Sequence, residues 1–358
     1  MDTTLQAPTH DDLEAVVEAV NRIGRAERGQ NHTSLEVMRQ EWSHPNFDLA
    51  RDARLLRGAD NAVVGYAGCY NLTEPHVSTG FFVVVDPALG GERREAVAKL
   101  LAWAEGVAES RVDEAPADAR VTRRLIVPDD DHEVIGVAES RGYTFVRSFL
   151  RMRIDLDGPP QPLPLPEGFR LTSLAETKDL RAIAVADEDA FRDHYGHAPQ
   201  TYDEAYKHFV HFTSTDPKFD PALWLVALAD AQGDAAAPGD ATGRGDGTGP
   251  GSVEPSGGKA TAGICLSALE AEENPEWGYV ESLAVLPAYR NRGLARAMLV
   301  RAFMELYARG RRTVALHVDA KSLTGATRLY ESVGMRLDQT YNNYEQEIRP
   351  GKELRNLG

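Results

Sequence analysis

The stretch Tyr279 to Leu299, YVESLAVLPAYRNRGLARAML, holds the residues best placed to do chemistry. An apolar strand runs to Val285, a short loop carries Arg290, Asn291 and Arg292, and Gly293 opens an amphipathic helix. Such a junction leaves the first helical N–H groups without carbonyl partners and aims them, with the positive end of the helix dipole, at the loop. An anion belongs there. Glycine at position 293 lets a phosphate approach the backbone without meeting a Cβ, and Arg290, Arg292 and Arg296 add positive charge. The pattern is not a nucleotide-binding P-loop: neither GxxxxGKS nor GxxxxGKT occurs, and the cluster Gly257, Gly258, Lys259 lacks both the spacing and the following hydroxyl. No metal site is expected either. Cys69 and Cys265 stand far apart in apolar, strand-like runs, and His194, His197, His208 and His211 have no ligand spacing with a cysteine or carboxylate.

To hold that loop, a strand must end at Val285 and a helix must start near Arg292. Leu294, Met298, Leu299, Ala302, Phe303 and Leu306 fall mostly three and four residues apart, which puts one apolar face on a helix over 292–309. Around it the second half reads as strands at 169–172, 223–229, 262–269, 278–285, 313–318 and 343–348, with helices over 177–191, 201–212 and 324–332. Strands mostly adjacent in sequence, with one strand–helix–strand crossover, predict an α/β fold of the α+β kind: a mixed sheet with helices packed on it. The first half repeats this order, with strands near Thr4 and at 53–57, 63–70 and 80–85, and helices at 13–26, 35–42 and 92–109. Val85, Pro87 and Ala88 recur as Val285, Pro287 and Ala288, so an internal duplication is expected.

The proline-rich segment 157–168, DGPPQPLPLPEG, reads as a semi-rigid linker between a domain at 1–156 and another at 169–349. A tract at about 230–259, rich in Gly, Asp, Ala and Pro, has almost no large apolar side chain to bury and reads as a disordered insertion. With 39 Lys plus Arg against 55 Asp plus Glu, the 358-residue chain carries a net charge of −16. That balance argues against nucleic acid, whose phosphates recruit Lys and Arg, and mildly favours a cationic small molecule. The chain has neither a run long enough to span a membrane nor a signal-like start, so no membrane partner and a cytoplasmic location are expected.

Arg290-x-x-Gly293-x-Ala295 after an apolar strand with Val-x-Pro resembles the pyrophosphate-binding motif of the GNAT superfamily of acyl-CoA-dependent N-acyltransferases. His317-Val318-Asp319-Ala320, then Thr324-Gly325-Ala326, Leu329-Tyr330-Glu331 and Gly334, resembles the second motif of that superfamily, where a strand splays from its neighbour to admit the pantetheine arm. The resemblance covers roughly 169–348, and the duplicated layout is similar to its tandem-domain members, with two GNAT folds, each a mostly antiparallel twisted sheet flanked by helices. Acetyl-CoA or another short acyl-CoA is the cofactor this implies. It would be held by Leu283, Ala284, Val285, Arg290, Asn291, Arg292, Gly293, Leu294, Ala295, Arg296 and Ser322, the last standing where the family frequently carries Asn. Laid on the second copy without gaps, the first puts Gly90 at Arg290, Arg93 at Gly293 and Glu95 at Ala295, so a degenerate, non-catalytic first domain is expected. A gap of one or two residues would instead bring Gly91 to the critical position.

The same resemblance implies the catalytic roles. Glu281, expected on the strand face of Leu283 and Val285 because side chains alternate, is the candidate general base, and a solvated strand carboxylate is the alternative. Tyr330 is the candidate acid for the leaving sulfur, although its place on an Ala326, Leu329, Tyr330, Val333 stripe also suits packing. Backbone N–H groups at Leu283 to Val285 would hold the oxyanion. Asp187, Asp189 and His194, in the helix region where family members build acceptor pockets, are candidate substrate contacts. The expected activity is transfer of acetyl to a primary amine of a small molecule. A non-catalytic acyl-CoA or amine-binding protein and a peptide or protein N-acetyltransferase are the alternatives, and the assembly is a monomer or homodimer.

Overall fold

The computed structural model describes residues 3–72, 74–198, 200–216, 218–230, 260–272, 274–321 and 325–357. The tract 231–259, expected to be a disordered insertion, and Ser322 lie outside the described residues.

The first half supplies β1 (Thr4–Gln6), β2 (Ala53–Arg57), β3 (Val63–Tyr70), β4 (Ser78–Val85), β5 (Val121–Pro128) and β6 (Thr144–Asp155). The second supplies β7 (Phe169–Ser173), β8 (Trp224–Ala229), β9 (Ala260–Ala268), β10 (Gly278–Val285), β11 (Thr313–Asp319) and β12 (Arg336–Arg349). These strands form one mixed sheet in the order β1-β2-β3-β4-β5-β12-β6-β11-β10-β9-β8-β7. Among the described residues only β4–β5 and β10–β11 run parallel; the other neighbouring strands are antiparallel.

The halves exchange their closing strands. β6 of the first half lies between β12 and β11, pairing along β11 from Thr313↔Asp155 to Asp319↔Phe149, while β12 of the second half pairs with β5 and β6. The linker at 157–168 therefore divides the chain but not the sheet. Packing follows the exchange. Met152 and Leu156 are buried in the core under the helix Leu294–Ala308, and Tyr344 is buried under the helix Arg93–Ser110. Truncating Met152, 1% exposed, would cost about 2–5 kcal/mol in a core built mostly by the other half of the chain.

β12 is far longer than the strand expected at 343–348, because a strand flanked on both sides satisfies its backbone even where RLDQTYN offers no apolar run. Two further cores lie under the helices Leu13–Arg28 and Leu180–Phe191, so helices cover the sheet on both faces. Among the described residues no helix is long and apolar enough to cross a membrane, and no group of His, Cys, Asp or Glu is arranged to hold a metal ion.

Candidate active site

After β10 a short turn, Pro287–Tyr289, redirects the chain, and the helix begins at Leu294. The start comes two residues later than the periodicity predicts because Asn291 and Gly293 are left-handed, with φ of +62° and +83°. Left-handed residues in such a loop curl successive amides toward one concavity that suits an anion. No side chain caps the helix, and its first backbone bond runs from Ala297 N to Gly293 O at 3.2 Å. The N–H groups of Leu294, Ala295 and Arg296 thus stand ahead of the helical ladder. A Cβ on Gly293 would meet nothing within 4 Å, so the concavity is open.

Arg290 is a latch for this loop. Its guanidinium donates to Val285 O at 2.9 Å and Ala190 O at 3.2 Å and pairs with Asp193 at 3.3 Å, tying the strand end to the helix Leu180–Phe191. Arg292 and Arg296 are exposed at the rim; Arg292 lies over the rings of Phe169 and Tyr289, and Arg296 donates to Ser332 O at 3.4 Å.

A recess of about 470 Å³ opens beside the cradle. Leu283, Ala284, Val285, Arg290, Asn291, Gly293, Leu294, Ala295 and Arg296 all line it, together with Tyr330 and His194; Arg292 does not. Strand divergence makes the space. β10 pairs with β11 only at Gly278↔Val314 and Tyr279↔Ala315, while its other edge stays paired to β9 as far as Val285↔Gly263. The β11-facing edge of β10 from Val280 onward keeps backbone N–H and C=O groups outside the ladder, available to an extended amide-bearing chain.

Tyr330, on the helix Ala326–Ser332, is 7% exposed, and its hydroxyl has no hydrogen-bond partner among the described residues. Burial pushes its pKa well above the usual phenol value, with the Cys265 thiol a smaller contributor, so it stays protonated. Packing and a polar tip at the recess coexist in the one side chain.

Glu281 does not share the face of Leu283 and Val285, as strict alternation predicts. The register jumps at Glu281, with Val280 opposite Ser267 and Ser282 opposite Leu266. This bulge places Val280, Leu283 and Val285 together against the core of the helix Leu294–Ala308, whereas Ser282 and Ala284 face the helix Leu180–Phe191. Glu281 instead lines a second recess of about 260 Å³ with Tyr279, His317 and Asp216. Leu283 in the first recess lies roughly 7 Å further along the strand. The Glu281 side chain is open to water on one side, yet dense protein surrounds its carboxylate. Enclosure sets the direction and pushes the pKa up to about 7, with the charge of Asp216 adding.

The substrate candidates separate. Asp187 accepts a 2.8 Å hydrogen bond from Ser282 Oγ on β10, and burial raises its pKa to about 6. His194 lines the larger recess, where burial lowers its pKa. Asp189 reaches neither recess; it holds Arg192 at 2.7 Å and Tyr202 Oη at 2.8 Å on the helix surface.

Sequence reasoning missed two features of the second recess. Tyr279 Oη and His317 Nδ1 are hydrogen-bonded at 2.8 Å across the β10–β11 junction. Ser34, Glu36, Val37 and Gln40, at and in the first-half helix Leu35–Trp42, form one wall. The histidine stood in the second motif, but nothing local signals a wall from 240 residues away.

The corresponding junction in the first half carries an ion-pair cluster. Arg93 Nε donates to Val85 O at 3.2 Å, as Arg290 Nε does to Val285 O, and its guanidinium is held by Glu27 at 2.7 Å, Asp131 at 2.9 Å and Glu133 at 3.0 Å. A buried cation and three carboxylates thus stand at the start of the helix Arg93–Ser110, while an added Cβ on Gly90 or Gly91 would meet nothing within 4 Å.

Residues 223–335 match the Acetyltransferase (GNAT) family. A mycothiol acetyltransferase of Salinispora arenicola is 27% identical over 294 residues, covering 81% of this chain and 80% of the relative. The crystal structure of a GCN5-related N-acetyltransferase from Sphaerobacter thermophilus is similar over 98% of both chains, with a TM-score of 0.75 and 28% identity. A tandem GNAT protein from the clavulanic acid biosynthesis pathway shares the fold, with a TM-score of 0.63 at 14% identity over 98% of this chain and 100% of that one.

Proposed function

We propose, for a chain whose residues 223–335 match the GNAT acetyltransferase family, that the second half moves the acetyl group of acetyl-CoA to a primary amine of a small molecule in the cytoplasm. The observation that carries this reading is the open, uncapped loop at Asn291–Gly293 beside the point where β10 leaves β11. The loop suits the diphosphate of a coenzyme, and the unpaired edge of β10 suits its pantetheine arm. When bound, acetyl-CoA supplies an activated acyl group as a thioester.

The chain's residues then divide the work. Glu281 takes a proton from the acceptor ammonium, directly or through water, leaving the nitrogen lone pair free to attack the acyl carbon. The unpaired N–H groups of β10 hold the charge that develops on the carbonyl oxygen. As the carbon–sulfur bond breaks, Tyr330 would donate a proton to the departing sulfur and regain one, through water, from the new amide nitrogen, which sheds the second proton of the amine. Glu36, Asp216 and Glu270 around Glu281 suit a cationic acceptor, Glu270 being paired to Lys218 at 2.7 Å. The relatives named mycothiol acetyltransferase make the desacetyl amine of mycothiol the first acceptor to try. The three carboxylates gathered around Arg93 support a first half without coenzyme turnover.

The test is release of free CoA thiol by the full-length chain with that amine and a panel of other small primary amines. Amine-dependent multiple turnovers are expected; tight coenzyme binding without turnover on any amine would overturn the assignment.

A further inference from the structure

The first half has its own strand divergence. β4 pairs with β5 from Ser78↔Thr122 to Phe81↔Leu125 and then leaves it, and a recess of about 340 Å³ opens there. The three carboxylates around Arg93 disfavour a diphosphate at its outer end, and the walls of the inner part are unlike those of the second half. Arg124 lies across Gly80, where an added Cβ would sit 3.7 Å from Nη2. Its Nε is buried without a hydrogen-bond partner, and among the described residues the guanidinium has no ion pair. Burial and the nearby charge of Arg355 hold its pKa below the ordinary arginine value. Arg28 lines the same recess with a side chain 10% exposed, and its Nε is likewise buried and unpartnered.

A buried guanidinium nitrogen without an acceptor costs free energy unless something fills the need. The remaining wall is largely apolar, with Phe82, Ile126 and Val127. The acids are mostly committed: Glu27 holds Arg28 and Arg93, and Asp131 holds Arg93. Glu272 adds a third carboxylate to the lining, on the wall contributed by the second half, and the three together disfavour a ligand with several negative charges. We propose that the recess between the diverging ends of β4 and β5 binds a small organic monoanion, a carboxylate on an apolar body, through Arg124 and Arg28. The site is separate from the coenzyme loop and does not depend on the reaction assigned to the second half.

The experiment titrates the full-length protein with para-fluorobenzoate, followed by fluorine NMR and calorimetry, beside para-fluorobenzyl alcohol and para-fluorobenzylamine. One saturable site per chain is expected for the carboxylate, retained in the presence of excess CoA, with at least tenfold weaker binding of the alcohol and none of the amine. Arg124→Gln should weaken the carboxylate by roughly 10- to 100-fold, since one charge-assisted contact is lost. Ile126→Trp, at a position 45% exposed on the rim, should fill the recess and abolish binding while circular dichroism stays that of the parent; it decides the matter if Arg124→Gln fails to fold. No saturable site at low millimolar concentration, equal binding of the alcohol, displacement by CoA, or parental affinity in Ile126→Trp would overturn the proposal.

Discussion

Replacing Glu281 by Gln removes a proton acceptor while keeping size and polarity, so it separates base chemistry from packing. With its pKa raised to about 7, Glu281 is mostly protonated at pH 6 and mostly ionised at pH 8, and the parent kcat/KM should rise about tenfold between them from this group alone. Loss of a positioned base should lower the rate at pH 8 by about 10²–10⁴-fold and remove the limb near pH 7, leaving only the limb set by the acceptor amine. Stability should move the other way. The native state binds this proton more tightly than the unfolded chain, whose ordinary value is 4.5, so ionising Glu281 as pH rises through about 7 works against folding. Glu281→Gln should therefore match or exceed the parent in Tm at pH 8. The assay is free-thiol release across pH 5.5–9.5 (roughly the range over which both groups titrate), with thermal unfolding on the same samples. A variant retaining the parental rate and the limb near pH 7 would refute the base role and leave Glu281 a solvated strand carboxylate.

Three further outcomes are expected. Gly293→Glu puts a side chain on a left-handed residue and a negative charge in the anion cradle, so calorimetry should show CoA affinity reduced at least 100-fold, as expected from lost anion contacts plus repulsion; parental affinity would count against the cradle. Tyr330→Phe keeps the ring packed and removes a hydroxyl without a partner, so Tm should change by little while kcat falls about 10-fold or more; an unchanged kcat would make Tyr330 a packing residue. Arg93→Ala leaves the largely buried Asp131 without its cation and Glu27 with Arg28 alone, and should cost about 3–5 kcal/mol in denaturant unfolding, with CoA affinity unchanged; a drop in CoA affinity at retained stability would place coenzyme in the first half.

The loop at Arg290–Ala295 was legible because its cause is local: a glycine after a strand, then an apolar helical face, dictates uncapped amides whatever surrounds them. The ungapped alignment sets Arg93 on Gly293, whereas its Nε meets Val85 O as Arg290 meets Val285 O, a contact that depends on carboxylates from two other segments and has no local signal. Arg290 shows the limit. A cation near the cradle is readable from type and spacing, but its commitment to Val285 and Ala190 carbonyls depends on a helix a hundred residues earlier. The bulge at Glu281 escaped because its residues read as plain alternation, and only the register against β9 reveals the extra residue. The exchange of β6 and β12 escaped for a related reason: alternation within a closing strand says which side chains face a core, but not which half's strands it joins.

The most direct test of the central claim is a crystal structure of the full-length chain grown with CoA. Diphosphate oxygens are expected within hydrogen-bonding distance of the amides of Leu294, Ala295 and Arg296, with the pantetheine arm along β10 from Leu283 to Val285. Coenzyme seated between β4 and β5, or a diphosphate held away from the Gly293 loop, would contradict that claim.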